Sequence, residues 1–107
     1  RIEHLFDRQP GCTIGAIVNV TGKLLRIIDR MQALHAERGQ VSSELVFHRH
    51  INEDAQRDAA VYETNEDRLE ATSTAADVRR FEKRLRDIDR DLEKLERKRQ
   101  SLLAKLD

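Results

Sequence analysis

The chain has 107 residues, of which 37% are charged and 4% aromatic, with one proline and four glycines. Turn-forming and aromatic residues are too few for a β-sandwich, a β-barrel or a doubly wound sheet, so we expect an all-α protein. Twenty Lys and Arg balance twenty Asp and Glu, which leaves no net charge to attract nucleic acid or an anionic membrane.

The first twelve residues end in a local break at Pro10-Gly11. We therefore expect residues 1–12 to form an arm ahead of one helical domain at 13–107. Because the first residue is Arg rather than Met, the chain is expected to be a fragment or a processed form. The single Cys12 and the lack of a visible signal peptide favour the cytoplasm.

The first predicted helix covers residues 13–38. Its apolar side chains recur at alternating spacings of three and four, which is typical of a helix that packs lengthwise on another; this seam comprises Ile17, Val20, Leu24, Ile27, Met31 and Leu34. A second apolar row lies beside the seam and comprises Ile14, Val18, Leu25 and Ile28. Two rows predict contact with two neighbours. Asn19, Lys23 and Arg26 interrupt the segment, so we expect no membrane span.

Gly15 and Gly22 lie seven residues apart and therefore on one side of this helix. A glycine inside a helix costs about 1 kcal/mol relative to alanine. We weigh two interpretations equally: a close approach of another helix backbone, or a helix that begins after Gly15. Gly39 is predicted to end the helix.

The second predicted helix covers residues 43–70, after a start signal at Ser42-Ser43. Its core face is ambiguous. One possible stripe comprises Val41, Leu45, His48, Asn52, Ala55, Ala59, Tyr62, Glu66 and Leu69. Another comprises Phe47, Ile51, Ala55, Ala59 and Tyr62. Residues 40–70 carry a net charge of −5 (three bases, eight acids), and residues 75–107 carry +3 (eleven bases, eight acids). Opposite charges favour contact between these segments.

Residues 47–54 hold the only cluster that resembles a chemical site. His48, His50, Glu53 and Asp54 are possible metal ligands. However, two His two residues apart on a helix point about 200° away from each other. We favour ordinary surface residues, with His48 half-buried, and expect no metal, cofactor or catalytic residue.

The third predicted helix covers residues 75–106, after a break at Ala71–Thr74 and a capping box at Thr74 and Asp77. It has the clearest coiled-coil pattern of the chain, with a seam of Val78, Phe81, Leu85, Ile88, Leu92, Leu95 and Leu102. Its basic face, including Arg97, Lys98 and Arg99, is interleaved with acids, which makes nucleic-acid binding the lesser expectation.

Together these patterns predict an elongated antiparallel three-helix bundle, or a coiled-coil hairpin completed by dimerisation. The weak stripe of the middle helix favours a homodimer, because a second copy would then cover the second row of the first helix. The expected function is non-enzymatic: a scaffold, adaptor or oligomerisation module that binds protein. Two alternatives stay open, namely binding of nucleic acid or an anionic surface by the last helix, and a small metal-binding or all-helical enzyme.

Overall fold

In a computed structural model, the backbone is described for residues 10–106 and the side chains for residues 14–106. Helix α1 comprises Pro10–Tyr62 and helix α2 comprises Asn65–Leu106. Only Glu63 and Thr64 lie between them, and residues 10–106 contain no strand. The all-α prediction is therefore confirmed. Residues 1–9 of the predicted arm lie outside the described residues. Residues 10–12 belong to α1, so the predicted break at Pro10-Gly11 is wrong.

Helix α1 continues through the position where the sequence predicted its end. Gly39 lies inside the helix without the positive φ that a terminating glycine adopts. Ser43 does not cap a new helix, because its hydroxyl donates to the Gly39 carbonyl one turn earlier, at 3.1 Å. The predicted helices at 13–38 and 43–70 are thus one helix as far as residue 62, and the expected boundary at residues 39–42 is corrected.

The predicted break at Ala71–Thr74 is also wrong, because helix α2 continues through these residues. Ala71 and Thr74 are buried inside the helix, at 6% and 5% exposure. The Thr74 hydroxyl lies 2.9 Å from the Glu70 carbonyl and does not cap a helix. Three separate helices are therefore absent from residues 10–106, where the fold consists of two long helices.

The chain reverses at Glu63 and Thr64. Glu63 has a φ of 55°, the left-handed conformation that commonly ends a helix, and its N–H donates to the Ala59 carbonyl at 3.2 Å. Thr64 then caps α2. Its hydroxyl accepts from the Asp67 N–H at 3.1 Å, which is the hydrogen bond of an N-cap, and donates to the Asp67 carboxylate at 2.7 Å.

The described residues form two compact units, and each contains a segment of both helices. The hairpin unit comprises residues 34–91. The terminal unit comprises, among the described residues, 10–33 and 92–106. Most of the buried core lies in the hairpin unit, where Ile88 is 0% and Leu34 is 1% exposed. No helix within residues 10–106 is both long and apolar enough to cross a bilayer.

Candidate interaction surfaces

The predicted seam residues differ widely in burial. Leu24, Leu34 and Ile88 are buried, and Ile17 is exposed. The remaining seam positions are partly buried: Val20, Ile27, Met31, Val78, Phe81, Leu85, Leu92, Leu95 and Leu102. Partial burial is expected for a pair of helices, since two helices alone cannot enclose each other's apolar faces.

Burial within the hairpin unit favours the first of the two middle stripes. Val41 and Leu45, which belong only to that stripe, are buried, whereas Phe47, which belongs only to the rival stripe, is 62% exposed. Ala55, which both stripes share, is also buried. The buried positions continue the heptad spacing of Leu34 without interruption, which explains why the helix does not end at Gly39. Phe47 is exposed although its side chain is apolar, so the residue type alone did not predict its position.

Small and polar residues fill the core of the hairpin unit near the turn. The Gln56 amide donates to the Ala71 carbonyl and to the Asn52 side-chain oxygen, both at 3.0 Å. The Thr74 hydroxyl lies 3.0 Å from that same Asn52 oxygen. The bonds to Ala71 and Thr74 join α1 to α2 and give the buried Thr74 a polar partner, so the partly buried Asn52 belongs to the contact between the two helices.

The 47–54 cluster separates into a packed residue and exposed ones. The His48 ring stacks on Phe81, with centroids 4.6 Å apart and an interplanar angle of 26°. His50 is exposed, and its Nδ1 lies 3.8 Å from the Glu53 carboxylate. Among the described residues, no three His, Cys, Asp or Glu side chains are placed to hold one metal ion.

Three ion pairs connect α1 and α2 in the hairpin unit. Arg38 Nε donates to Asp89 Oδ1 at 2.6 Å, and Arg49 donates to Glu82 at 3.2 Å. Arg84 of α2 donates to Glu37 of α1. Only the Arg49–Glu82 pair joins the two segments whose net charges were compared, residues 40–70 and 75–107, and its base belongs to the acidic segment. The individual positions, and not the net charges, therefore decide which pairs form.

The Arg38–Asp89 pair perturbs the titration of both partners. The hydrogen bond from Arg38 lowers the pKa of the Asp89 carboxyl below its ordinary value, and it raises the pKa of Arg38. Both side chains are about half exposed, at 44% and 52%. Solvent therefore screens the pair, which orients the helices more than it stabilises them.

Much of the basic face of α2 is neutralised by acids. Within the hairpin unit, Arg80 pairs with Asp77, and Lys83 and Arg90 both pair with Asp87. In the terminal unit, Arg97 pairs with Glu93 and Arg99 pairs with Glu96. The pattern is that of a solvated coiled-coil surface with helical pairs three or four residues apart.

The second apolar row of α1 faces solvent in the terminal unit. Ile14 and Val18 are each 62% exposed and Leu25 is 58% exposed, while Ile28 is partly buried. With Thr21 between Val18 and Leu25, the row has alternating spacings of four and three, which is the spacing of a coiled-coil seam. We call Ile14, Val18, Thr21, Leu25 and Ile28 the second seam.

Gly15 and Gly22 of α1 have open surroundings. A Cβ built on Gly15 meets nothing within 4 Å beyond its own helix backbone, and one built on Gly22 meets only Arg26 Nη1 at 3.6 Å. Neither glycine is therefore needed for contact within the described chain. Gly15 lies inside α1, so the alternative in which the helix begins after it is corrected.

The turn carries exposed apolar side chains that sequence reasoning did not single out as a surface. Val61 is 70% exposed. Tyr62 and Leu69 were predicted on a core stripe, but they are 66% and 71% exposed, so that part of the prediction is wrong. The capping pattern at Thr64 and Asp67, which places the turn there, was the signal available in the sequence.

Comparison with known proteins gives no match: no family model, no curated protein and no solved structure is similar to this chain.

Proposed function

We propose that this chain is a non-enzymatic coiled-coil interaction module that forms a homodimer through the second seam of α1. The observation that carries the proposal is the exposure of that seam. Ile14, Val18 and Leu25 keep roughly three-fifths of their surface in water although their spacing is that of a packed coiled coil. Contiguous exposed apolar surface with such regular spacing is a common mark of an interaction site.

The charge distribution favours a second copy as the occupant. Residues 9–22 contain no charged side chain in a chain of which 37% is charged. In a twofold symmetric dimer the same surface meets itself, so a charged row would repel its copy and an uncharged row does not. The zero net charge of the chain also removes long-range repulsion between copies.

The seam has a limited length, which sets the expected affinity. It extends from Ile14 to Ile28, about 21 Å along the helix. Beyond Ile28 the next positions of the same spacing are Gln32 and His35, which are polar. Full burial of an aliphatic side chain contributes roughly 1.5–3 kcal/mol, and association costs several kcal/mol, so a reversible, concentration-dependent dimer is expected.

The open glycines fit the same interface. At Gly15 no side chain of the described chain occupies the space beside the helix, so a partner helix is free to approach its backbone. We infer that Gly15 lies at the edge of the dimer contact.

Sedimentation velocity over about 1–300 µM tests the proposal. The wild-type mass is expected to rise with concentration towards that of a dimer. The variant Val18→Lys/Leu25→Lys is expected to stay monomeric, because each copy would bring like charges into the seam. Both side chains are exposed in the single chain, so the helical circular-dichroism signal should persist.

The matched control is Val61→Lys/Leu69→Lys, which changes two equally exposed apolar residues at the turn. It should dimerise like the wild type. A wild-type chain that remains monomeric over the whole range, or a control variant that alone loses dimerisation, would refute the assignment of the interface to the second seam.

A further inference from the structure

The terminal unit contains a groove between α1 and α2, on a different side of α1 from the second seam. Its volume is about 440 Å³. Its floor is apolar and consists of Ile27, Leu95 and Leu102. Its rim is polar and consists of Lys23, Arg26, Arg30, Lys98 and Ser101. No acidic residue lines it.

The four cations of this rim have no acidic partner among the described residues. Lys98 illustrates the contrast: its neighbours Arg97 and Arg99 are paired with Glu93 and Glu96, and Lys98 is not. None of Lys23, Arg26 and Arg30 forms an ion pair within residues 14–106 either. Unpaired charges of one sign along a groove with apolar walls create a local positive potential.

The combination of rim and floor identifies the chemistry of the ligand. Arginine binds carboxylate and phosphate groups through two parallel hydrogen bonds, so Arg26 and Arg30 favour such an anion. The apolar floor favours a hydrocarbon part next to that anion. We propose that this groove binds a small amphiphilic anion, with its carboxylate or phosphate at the basic rim and its apolar part against Ile27, Leu95 and Leu102.

The size of the groove favours a small ligand over a macromolecule. Its volume lies within the range of roughly 300–1,000 Å³ that is typical of small-molecule sites. A stable protein–protein interface uses roughly 20–30 residues on each side, far more than the eight that line this groove. Single-stranded nucleic acid requires aromatic residues for base stacking, and the groove has none.

Titration of the isotope-labelled wild-type protein with octyl phosphate, followed by amide chemical shifts, tests the proposal. Inorganic phosphate tests the contribution of the anion alone, and octanol tests the contribution of the hydrocarbon alone. Octyl phosphate is expected to shift amides near residues 23–30 and 95–102 and to bind at least about tenfold more tightly than either probe. Added salt should weaken its binding.

The variant Arg26→Gln/Arg30→Gln is expected to weaken octyl phosphate binding at least about tenfold. The matched control is Arg79→Gln/Arg86→Gln, which removes two exposed arginines of the hairpin unit that also have no ion pair among the described residues; its affinity should equal that of the wild type. The proposal would be overturned if octanol or inorganic phosphate bound as tightly as octyl phosphate. It would also be overturned if Arg26→Gln/Arg30→Gln bound octyl phosphate with the affinity of the wild type.

An experiment with lipid vesicles distinguishes two sources of the ligand, a lipid headgroup and a free amphiphile. If the wild-type protein co-sediments with phosphatidylcholine vesicles that contain phosphatidic acid, and Arg26→Gln/Arg30→Gln does not, the anion is a lipid headgroup. Binding of octyl phosphate without co-sedimentation assigns it to a free amphiphile. Both variants leave Val18 and Leu25 unchanged, so their effect on binding is independent of dimerisation through the second seam.

Discussion

Ile88 provides the sharpest test of the packing in the hairpin unit. Its side chain is 0% exposed, and it is one of the two largest fully buried side chains of the described chain, the other being Leu34. Replacing a fully buried isoleucine by alanine removes its transfer free energy and leaves a cavity, which together cost roughly 2–5 kcal/mol. The total free energy of unfolding of a domain is commonly about 5–15 kcal/mol, so Ile88→Ala should remove a large part of it.

A graded series separates burial from other effects at this position. Ile88→Val removes one methylene and should cost about 0.5–1.5 kcal/mol. Leu69→Ala is the control, because Leu69 is 71% exposed and its truncation should change the free energy of unfolding by less than about 0.5 kcal/mol. The order of destabilisation expected is therefore Ile88→Ala, then Ile88→Val, then Leu69→Ala.

Urea unfolding followed by circular dichroism at 222 nm measures these free energies. All variants are compared at one protein concentration, because dimerisation would add a concentration-dependent contribution to the stability. An Ile88→Ala variant within about 0.5 kcal/mol of the wild type, with an unchanged dependence on urea, would refute the burial of Ile88.

Two further predictions concern the continuity of α1 and the pairing of Asp89. Gly39→Ala should raise the free energy of unfolding by about 1 kcal/mol, because Gly39 is inside a helix and an added Cβ meets nothing within 4 Å; lower stability in urea would indicate that the chain turns there. Folding lowers the pKa of Asp89, so its ion pair with Arg38 stabilises the chain above the ordinary pKa of 3.8 and this contribution is lost as the pH falls through and below that value. Asp89→Asn should therefore lower the urea midpoint at about pH 6 and have a smaller effect at about pH 3, and an equal effect at both would contradict the assignment.

The positions where the helices end show where local sequence signals fail. Two segments, Thr64–Asp67 and Thr74–Asp77, have the same capping pattern of Thr and Asp three residues apart. Only the first caps a helix, since the Asp67 N–H donates to the Thr64 hydroxyl. Thr74 lies in the core and bonds Asn52 instead. A pattern of four residues does not contain the information that separates these outcomes.

The continuation of α1 through Gly39 has an energetic explanation. The glycine costs about 1 kcal/mol in a helix relative to alanine, and a prediction from local sequence takes only this penalty into account. Leu34, Val41 and Leu45 are all buried on one heptad spacing around it, and each fully buried aliphatic side chain contributes roughly 1.5–3 kcal/mol. The sum of these burial terms exceeds the local penalty, so the helix continues.

The sequence by itself determined that the protein is all-α and which apolar side chains share one face of a helix, because a period of three and four is a property of each helix alone. It also supplied the second apolar row of α1. Only the tertiary structure decided that the chain reverses at Glu63 and Thr64, that Ile14, Val18 and Leu25 remain in water, and that Arg26 and Lys98 border one groove. These features depend on which residues of two distant segments meet, and that choice follows from the summed burial of both helices rather than from either one.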